Sequence, residues 1–319
     1  MTRKSLPQLD RFFITDAGLE TDFIFNRGID LPCFASITLL RGEEGRRELE
    51  SYFRSYLELA GRAGAGCLLE SASWRASPDW GPRLGITDEE LDHLNQASVE
   101  MLVELRDEYG SPERPVVISG CIGPRGDGYD PGALMTAGEA EAYHGRQVRA
   151  LAGGGPDLLS AITMTNIPEA IGVACAVRST GLPAVISFTV ETDGLLPTGE
   201  TVEAAIVEVD RATEEYPAYY MINCAHPIHF SAVLEQGGEW LSRLRGLRVN
   251  ASKCSHAELD AMTELDEGDP GELARHLREL RDRLPQLTVL GGCCGTDIRH
   301  VTEIAKLCAG PPVPTAGAR

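Results

Sequence analysis

The sequence predicts an α/β protein closed into a single (β/α) barrel of eight units. Three observations carry that expectation. Short apolar, β-branched runs alternate with longer stretches of helical period, over and over along the chain. Most of those runs lack polar alternation, as expected of strands covered on both faces in a parallel sheet. The chain has 319 residues, which suits a barrel of ~250 residues plus insertions. An open doubly wound sheet is the alternative, but the first strand-to-helix turn, Asp16-Ala17-Gly18-Leu19-Glu20, is too sparse in glycine to cradle a pyrophosphate.

The expected strands are Phe12–Thr15, Cys67–Glu70, Val116–Ser119, Leu158–Ile162, Ala184–Val190, Tyr219–Asn223, Leu247–Val249 and Thr288–Leu290. The expected helices are Arg46–Ala63, Asp88–Tyr109, Ala137–Ala152, Pro168–Ser179, Thr201–Glu214, Ser231–Leu241, Gly271–Arg283 and Ile298–Leu307. Thr87-Asp88-Glu89-Glu90 and Asp269-Pro270-Gly271-Glu272 are helix-opening signals: a short polar side chain stands ready to accept from a free backbone N–H three residues on. No internal repeat or composition break marks a second domain. Residues 1–310 are expected to form the barrel. Past Gly310, Pro311-Pro312-Val313-Pro314 cannot continue a helix, so 311–319 is expected to be a loose tail.

Acidic residues outnumber basic ones, 48 to 29, for a formal net charge of -19. Such a surface repels phosphate backbones and anionic lipid, which argues against nucleic acid and membrane as partners, and it attracts small cations. The charge is spread along the chain, which is also how an ordinary acidic surface reads. The N-terminus lacks the apolar core of a signal peptide and no run is long enough to span a bilayer, so a cytoplasmic location is expected. Nine cysteines, an odd number, argue against a disulfide framework there. Cys33, Cys67, Cys121, Cys175, Cys254 and Cys308 each stand alone and read as small buried hydrophobes.

Cys224, Cys293 and Cys294 read differently. Asn223-Cys224-Ala225-His226-Pro227 ends the sixth strand, and Gly291-Gly292-Cys293-Cys294-Gly295 ends the eighth. In a barrel both fall on the C-terminal rim, where active sites are built. Three thiolates there can hold Zn2+ with one position open, the pattern of a catalytic rather than a structural zinc. Gly292 and Gly295 allow the sharp bend that two adjacent ligands require. A packed pair of thiols or a redox-switchable pair fits the same spacing, and His226 and His229 are competing ligands or plain rim histidines.

At these residues the chain resembles the homocysteine S-methyltransferase family, whose zinc signature is similar to Asn223-Cys224 followed by Gly291 to Gly295. Asp16-Ala17-Gly18-Leu19-Glu20-Thr21 resembles the family's opening turn, and Ser119 to Pro124 its Gly-x-x-Gly-Pro loop. The resemblance implies a single-domain TIM barrel with Cys224, Cys293 and Cys294 as zinc ligands. It implies methyl transfer from an onium donor to a zinc-bound thiol, homocysteine or a related small thiol. The chain lacks room for folate- and cobalamin-binding domains, so the expected donor is S-methylmethionine, S-adenosylmethionine or betaine-like.

Three departures stand out. Where the family has Glu-Thr after the fourth strand, its carboxylate holding the amino group of homocysteine, this chain has Ile162-Thr163. Losing a charged partner of that kind forfeits ~1.5–3 kcal/mol. Ala17 replaces the leading glycine of the opening turn, and Ser73-Trp74-Arg75-Ala76 stands where members often have Thr-Tyr-Gln-Ala. The resemblance implies that Asp16 helps hold substrate; as sequence it is also a turn residue. Glu70 is a substitute for the missing carboxylate, or a salt-bridge partner for a neighbouring helix. Trp74 offers an aromatic face to an onium group, or simply packs. Thr163 and Asn223 are expected to orient the site from beside it.

Two other readings follow from the same residues. One is a non-catalytic zinc- or redox-sensing barrel in which Cys293 and Cys294 bond to each other. The other is an aldolase-type barrel, for which Lys253 after the seventh strand is the one lysine near a strand end.

Overall fold

The structure is a computed structural model describing residues 6–310. Eight parallel strands close into one barrel in sequence order: β1 Phe13–Thr15, β2 Gly66–Glu70, β3 Val116–Ile122, β4 Leu158–Met164, β5 Ala184–Phe188, β6 Tyr219–Asn223, β7 Leu244–Val249 and β8 Val289–Gly292. One main helix follows each strand: α1 Glu43–Ala63, α2 Asp88–Tyr109, α3 Ala137–Gly153, α4 Ile167–Arg178, α5 Val202–Thr213, α6 Pro227–Glu235, α7 Pro270–Arg283 and α8 Ile298–Cys308. All eight expected strands are present. The expected tail, 311–319, lies outside the described residues.

Alternation along the strands sorts two cores. Ile14, Leu69, Ile118, Leu159, Ile186, Ile222, Leu247 and Leu290 point outward into the helix layer. Phe13, Leu68, Val117, Leu158, Val185, Tyr219, Met221 and Val289 point inward and fill the lower barrel, closed from below by Leu6. One step higher the interior turns polar: Thr15, Ser119, Ser160 and Ser187 are fully buried. A barrel core is usually filled by branched aliphatic side chains at this level, so these small hydroxyls leave room beneath the rim.

The helix starts behave as their sequences predict. Thr87 accepts from the Glu90 backbone N–H and Asp269 from that of Glu272. One helix was misplaced. The expectation of Ser231–Leu241 fails because Gly237 and Gly238, at φ 79° and 129°, break the chain. The helix instead starts at Pro227, capped by the His226 side chain, and a 3-10 turn follows over Glu239–Arg243. The six lone cysteines also divide: Cys67, Cys121 and Cys308 are buried, Cys175 and Cys254 half-buried, and Cys33 exposed. Cys33 sits at φ 55° in a tight turn that holds it at the surface.

Helices α3 and α4 meet closely at Gly172. A Cβ there would press on the Ala140 side chain and come within 2.6 Å of the Ala137 carbonyl and the Glu141 backbone nitrogen. The backbone atoms cannot move aside. This contact matters for the rim, because it holds the buried His144 Nε2 2.9 Å from Glu169 Oε1, and that same oxygen accepts from the Arg125 backbone N–H in the loop after β3. Alanine would gain ~1 kcal/mol in helix propensity, whereas overpacking costs about 1–3 kcal/mol. Gly172→Ala is therefore expected to lose stability, net on the order of 1 kcal/mol, seen as a lower urea midpoint at unchanged m-value. An unchanged or higher midpoint would show that α3 and α4 can part without cost.

Candidate metal centre and substrate cavity

Sulfurs from two strand ends meet at the rim. Cys224 follows β6 in the left-handed region, φ 53°, which turns its side chain from the wall toward the barrel mouth. Cys293 and Cys294 follow β8, where Gly292 lies against Thr296 and Gly291 against Thr15, with no space for a Cβ at either. The three Sγ atoms lie within 4.8 Å of one another, and among the described residues no other His/Cys/Asp/Glu group is so arranged. Cys224 and Cys293 are joined as a disulfide, their Cα atoms 5.4 Å apart, and Cys294 Sγ is 3.8 Å from that of Cys224.

The bond within the adjacent pair, Cys293 to Cys294, that the sensing reading allows is not the one formed. Neighbouring Cα atoms are ~3.8 Å apart along the chain, whereas disulfides prefer ~4.4–6.8 Å. Cys224 meets that spacing across the barrel. His226 and His229 are turned to other work: His226 caps α6 and packs edge-on against His229 and His276.

The donor set suits a thiophilic cation. The Cys224–Cys294 separation equals the ~3.8 Å edge of a tetrahedron with ~2.3 Å metal–sulfur bonds. Asn223 Nδ2 reaches within 3.9 Å of Cys293 Sγ, and the Tyr129 hydroxyl donates to Cys294 Sγ at 3.6 Å, so the sulfurs face donors suited to thiolates. Burial pushes the Cys294 thiol up to about 11, with Tyr129 pulling it down. A cation among the three sulfurs is what turns such thiols into thiolates near neutral pH.

Beside the sulfurs opens a cavity of about 280 Å³, lined by Asp16, Glu70, Trp74, Ile162 and Thr163 as well as Cys224, Cys293 and Cys294. Asn223 is fully buried just behind it. Its Oδ1 accepts from the Thr163 backbone N–H at 2.9 Å and from Ser187 Oγ at 2.6 Å, while its Nδ2 donates to Thr163 Oγ1 at 2.8 Å. That network holds Thr163 at φ 69°, where the β4–β5 register shifts. The Trp74 indole donates to the Ile162 carbonyl at 3.1 Å, and the Arg75 guanidinium stands over its ring at 5.1 Å. Lys253 is exposed and paired with Glu272, which leaves the aldolase reading without a buried amine.

Sequence reasoning missed the main charge in this cavity. Arg248 of β7 is buried inside the barrel and donates to Asp16 Oδ1 at 2.9 Å and to the Gly292 carbonyl at 3.2 Å. Glu70 does not reach a helix, contrary to one expectation: its nearest cation is Arg248 Nη1, 3.8 Å away, and neither carboxylate oxygen finds a well-formed hydrogen bond among the described residues. Burial pushes Asp16 up to about 7, Arg248 pulling it down and Glu70 pushing it further up. Burial likewise raises Glu70, with Arg248 and the Ser119 and Ser160 hydroxyls opposing.

Known proteins share the sequence pattern and the fold. The sequence profile of the homocysteine S-methyltransferase family matches residues 13–308. The chain belongs to that family. Homocysteine S-methyltransferase 1 of Arabidopsis thaliana is 24% identical over 92% of each chain, and the homocysteine S-methyltransferase of Escherichia coli K12 is 29% identical over 74% of this chain and 77% of its own. Crystal structures of the E. coli homocysteine methyltransferase MmuM share the fold. The oxidised form superposes with TM-score 0.72 at 21% identity, covering 95% of this chain and 98% of that one, and the metallated form with TM-score 0.68 at 20%, covering 93% and 96%. Membership makes the chain an S-methyltransferase, which favours the catalytic reading of the sulfurs over the sensing one.

Asp16 gives the fold a pH signature. Burial pushes its carboxyl from the ordinary 3.8 up to about 7, so the folded state holds that proton more tightly than the unfolded chain. Stability from this group is full below about pH 4 and is lost as pH rises toward 7. Between pH 5 and pH 8 the urea stability of Asp16→Asn should therefore gain on that of the wild type. Parallel profiles would mean that Asp16 is ionised throughout.

Proposed function

We propose that Cys224, Cys293 and Cys294, with the Cys224–Cys293 bond reduced, hold Zn2+, and that the protein methylates homocysteine or a closely related amino thiol from an onium donor. The observation that carries this reading is the convergence of three sulfurs within 4.8 Å at the rim of a barrel of this family. Zn2+ held by three thiolates supplies a position where an acceptor thiol loses its proton near neutral pH yet stays nucleophilic.

The chain's own residues do the rest. Glu70 offers a buried carboxylate with unused lone pairs to the acceptor's ammonium, taking the part that Ile162 cannot play. Asp16, held by Arg248, borders the same space. Thr163, locked by Asn223, shapes the wall next to Cys224. Trp74 meets the donor, and the acidic cavity favours a cation. In the transfer, the acceptor sulfur bonds to the methyl carbon as that carbon's bond to the positively charged sulfur or nitrogen breaks. The donor leaves as a neutral thioether or amine, and no electron is exchanged with the protein. S-methylmethionine, S-adenosylmethionine and betaine-like compounds all fit this balance.

Zinc-loaded, reduced protein should form methionine from homocysteine with at least one of these donors, read by mass spectrometry against a Cys224→Ser background. Methionine at background level from fully metallated protein would move the acceptor to another thiol. Cys293→Ser should lose zinc and turnover together; full retention of both would overturn the ligand set. Glu70→Gln should raise the acceptor KM by about 10- to 150-fold, the kinetic equivalent of ~1.5–3 kcal/mol for a charged hydrogen bond, with zinc content unchanged. An unchanged KM would exclude Glu70 as the ammonium partner.

A further inference from the structure

The geometry points to His256 as a positioning residue for the sulfur centre, bracing two of its three cysteines by separate routes. This rests on the reading that the sulfurs hold Zn2+, but the contacts are independent of it. His256 opens the short helix His256–Ala261 in the excursion between β7 and α7 and is almost fully buried. Its Nε2 donates to the Cys224 carbonyl at 2.9 Å, because a carbonyl can only accept. Its Nδ1 meets Glu191 Oε1 at 3.1 Å, in the loop after β5. Its flat face carries Tyr129, from the loop after β3, with ring centroids 3.8 Å apart and planes 17° apart. That tyrosine's hydroxyl donates to Cys294 Sγ at 3.6 Å.

One imidazole thus ties together loops from three strands. The first route acts on the Cys224 backbone. A cysteine at φ 53° adopts a conformation that L side chains disfavour, and it persists only where surrounding contacts over-determine it. Here its N–H donates to the Arg248 carbonyl at 3.0 Å, and its own carbonyl receives Asn250 Nδ2 at 3.0 Å as well as His256. The second route acts on Cys294 through the stacked Tyr129. Outer-sphere partners of this kind typically alter metal affinity by ~10–100-fold when removed.

Two substitutions separate the routes. His256→Phe keeps a flat face for Tyr129 but cannot donate to Cys224; His256→Gln keeps a donor but loses the face. Zinc affinity, measured by competition with a chromophoric chelator, should fall by about tenfold or more in the Phe variant and by a smaller factor in the Gln variant, which keeps a donor to Cys224 but loses the face that carries Tyr129. Iodoacetamide alkylation of Cys294 in reduced, metal-free protein, followed by peptide mass spectrometry, should slow several-fold in Gln and in Tyr129→Phe, which lose the hydroxyl donor that favours the thiolate, and little in Phe. Thermal midpoints identify any variant that unfolds, and the alkylation rates of Tyr129→Phe then decide the second route alone. Wild-type affinity and wild-type alkylation in folded variants would overturn the inference. A wild type that binds no zinc would instead overturn the proposed function, and the alkylation rates would still decide whether His256 braces Cys294.

Discussion

The ring of strands closes where Phe13 pairs with Val289 and Ile14 with Leu290, and the chemistry of the rim depends on that closure. Before it, Asp16 and Cys293 belong to opposite ends of a sheet. After it, the Gly292 backbone N–H donates to the Asp16 carbonyl at 3.2 Å, beside the β7–β8 bond from Cys293 to the Val249 carbonyl at 2.8 Å. Closure also turns one face of every strand into an interior, so charges on those faces are buried whether or not the local sequence looks apolar. Glycine makes the last step possible, since a side chain at Gly291 or Gly292 would collide with Thr15 or Thr296 and push the cysteine pair off the rim.

This explains which parts were legible in the sequence. Strands such as Tyr219–Asn223 and helices such as Asp88–Tyr109 are specified locally, by apolar runs and by a cap such as Thr87, and local patterns can be read. The cysteines were legible for a similar reason: adjacency at 293–294 and the glycines around them are features of a few residues. Arg248 was not. A single arginine between Leu247 and Val249 looks like the exposed face of a strand, and only its pairing with Asp16, far away in sequence, places it inside. His256 and Tyr129 escaped for the same reason, lying in rim excursions whose mutual approach no spacing encodes. Even the misplaced helix after β6 fits, because His226-Pro227 is a start signal that the apolar run beyond it obscured.

The charges sum to a further constraint. Asp16, Glu70 and Arg248 form a buried group in which two carboxyls face one guanidinium. With both carboxyls ionised the group carries one uncompensated negative charge in a low-dielectric interior, a costly arrangement. It can be relieved by a proton, which burial of both carboxyls also favours, or by an incoming cation. An amino thiol brings that cation with it. Arg248 is fixed by Asp16 and by the Gly292 carbonyl, so it is Glu70, at 3.8 Å from the nearest guanidinium nitrogen, that has acceptor capacity to spare.

The position of that spare capacity has a consequence for selectivity. In the family's usual pattern the carboxylate follows the fourth strand, where this chain places Ile162 against the interior apolar cluster. The proposed substitute, Glu70 at the end of β2, lies around the ring from there, next to Arg248 rather than next to Thr163. A thiol whose sulfur sits at the cysteines and whose ammonium seeks Glu70 must therefore cross the cavity along a different line. A site built to pair a buried charge rejects ligands that leave the charge unpaired far more strongly than it rejects a change of one methylene. Under the proposed function, acceptor choice would be set by where the ammonium lies relative to the thiol, and the sulfur chemistry at the rim would stay the same while that distance changes.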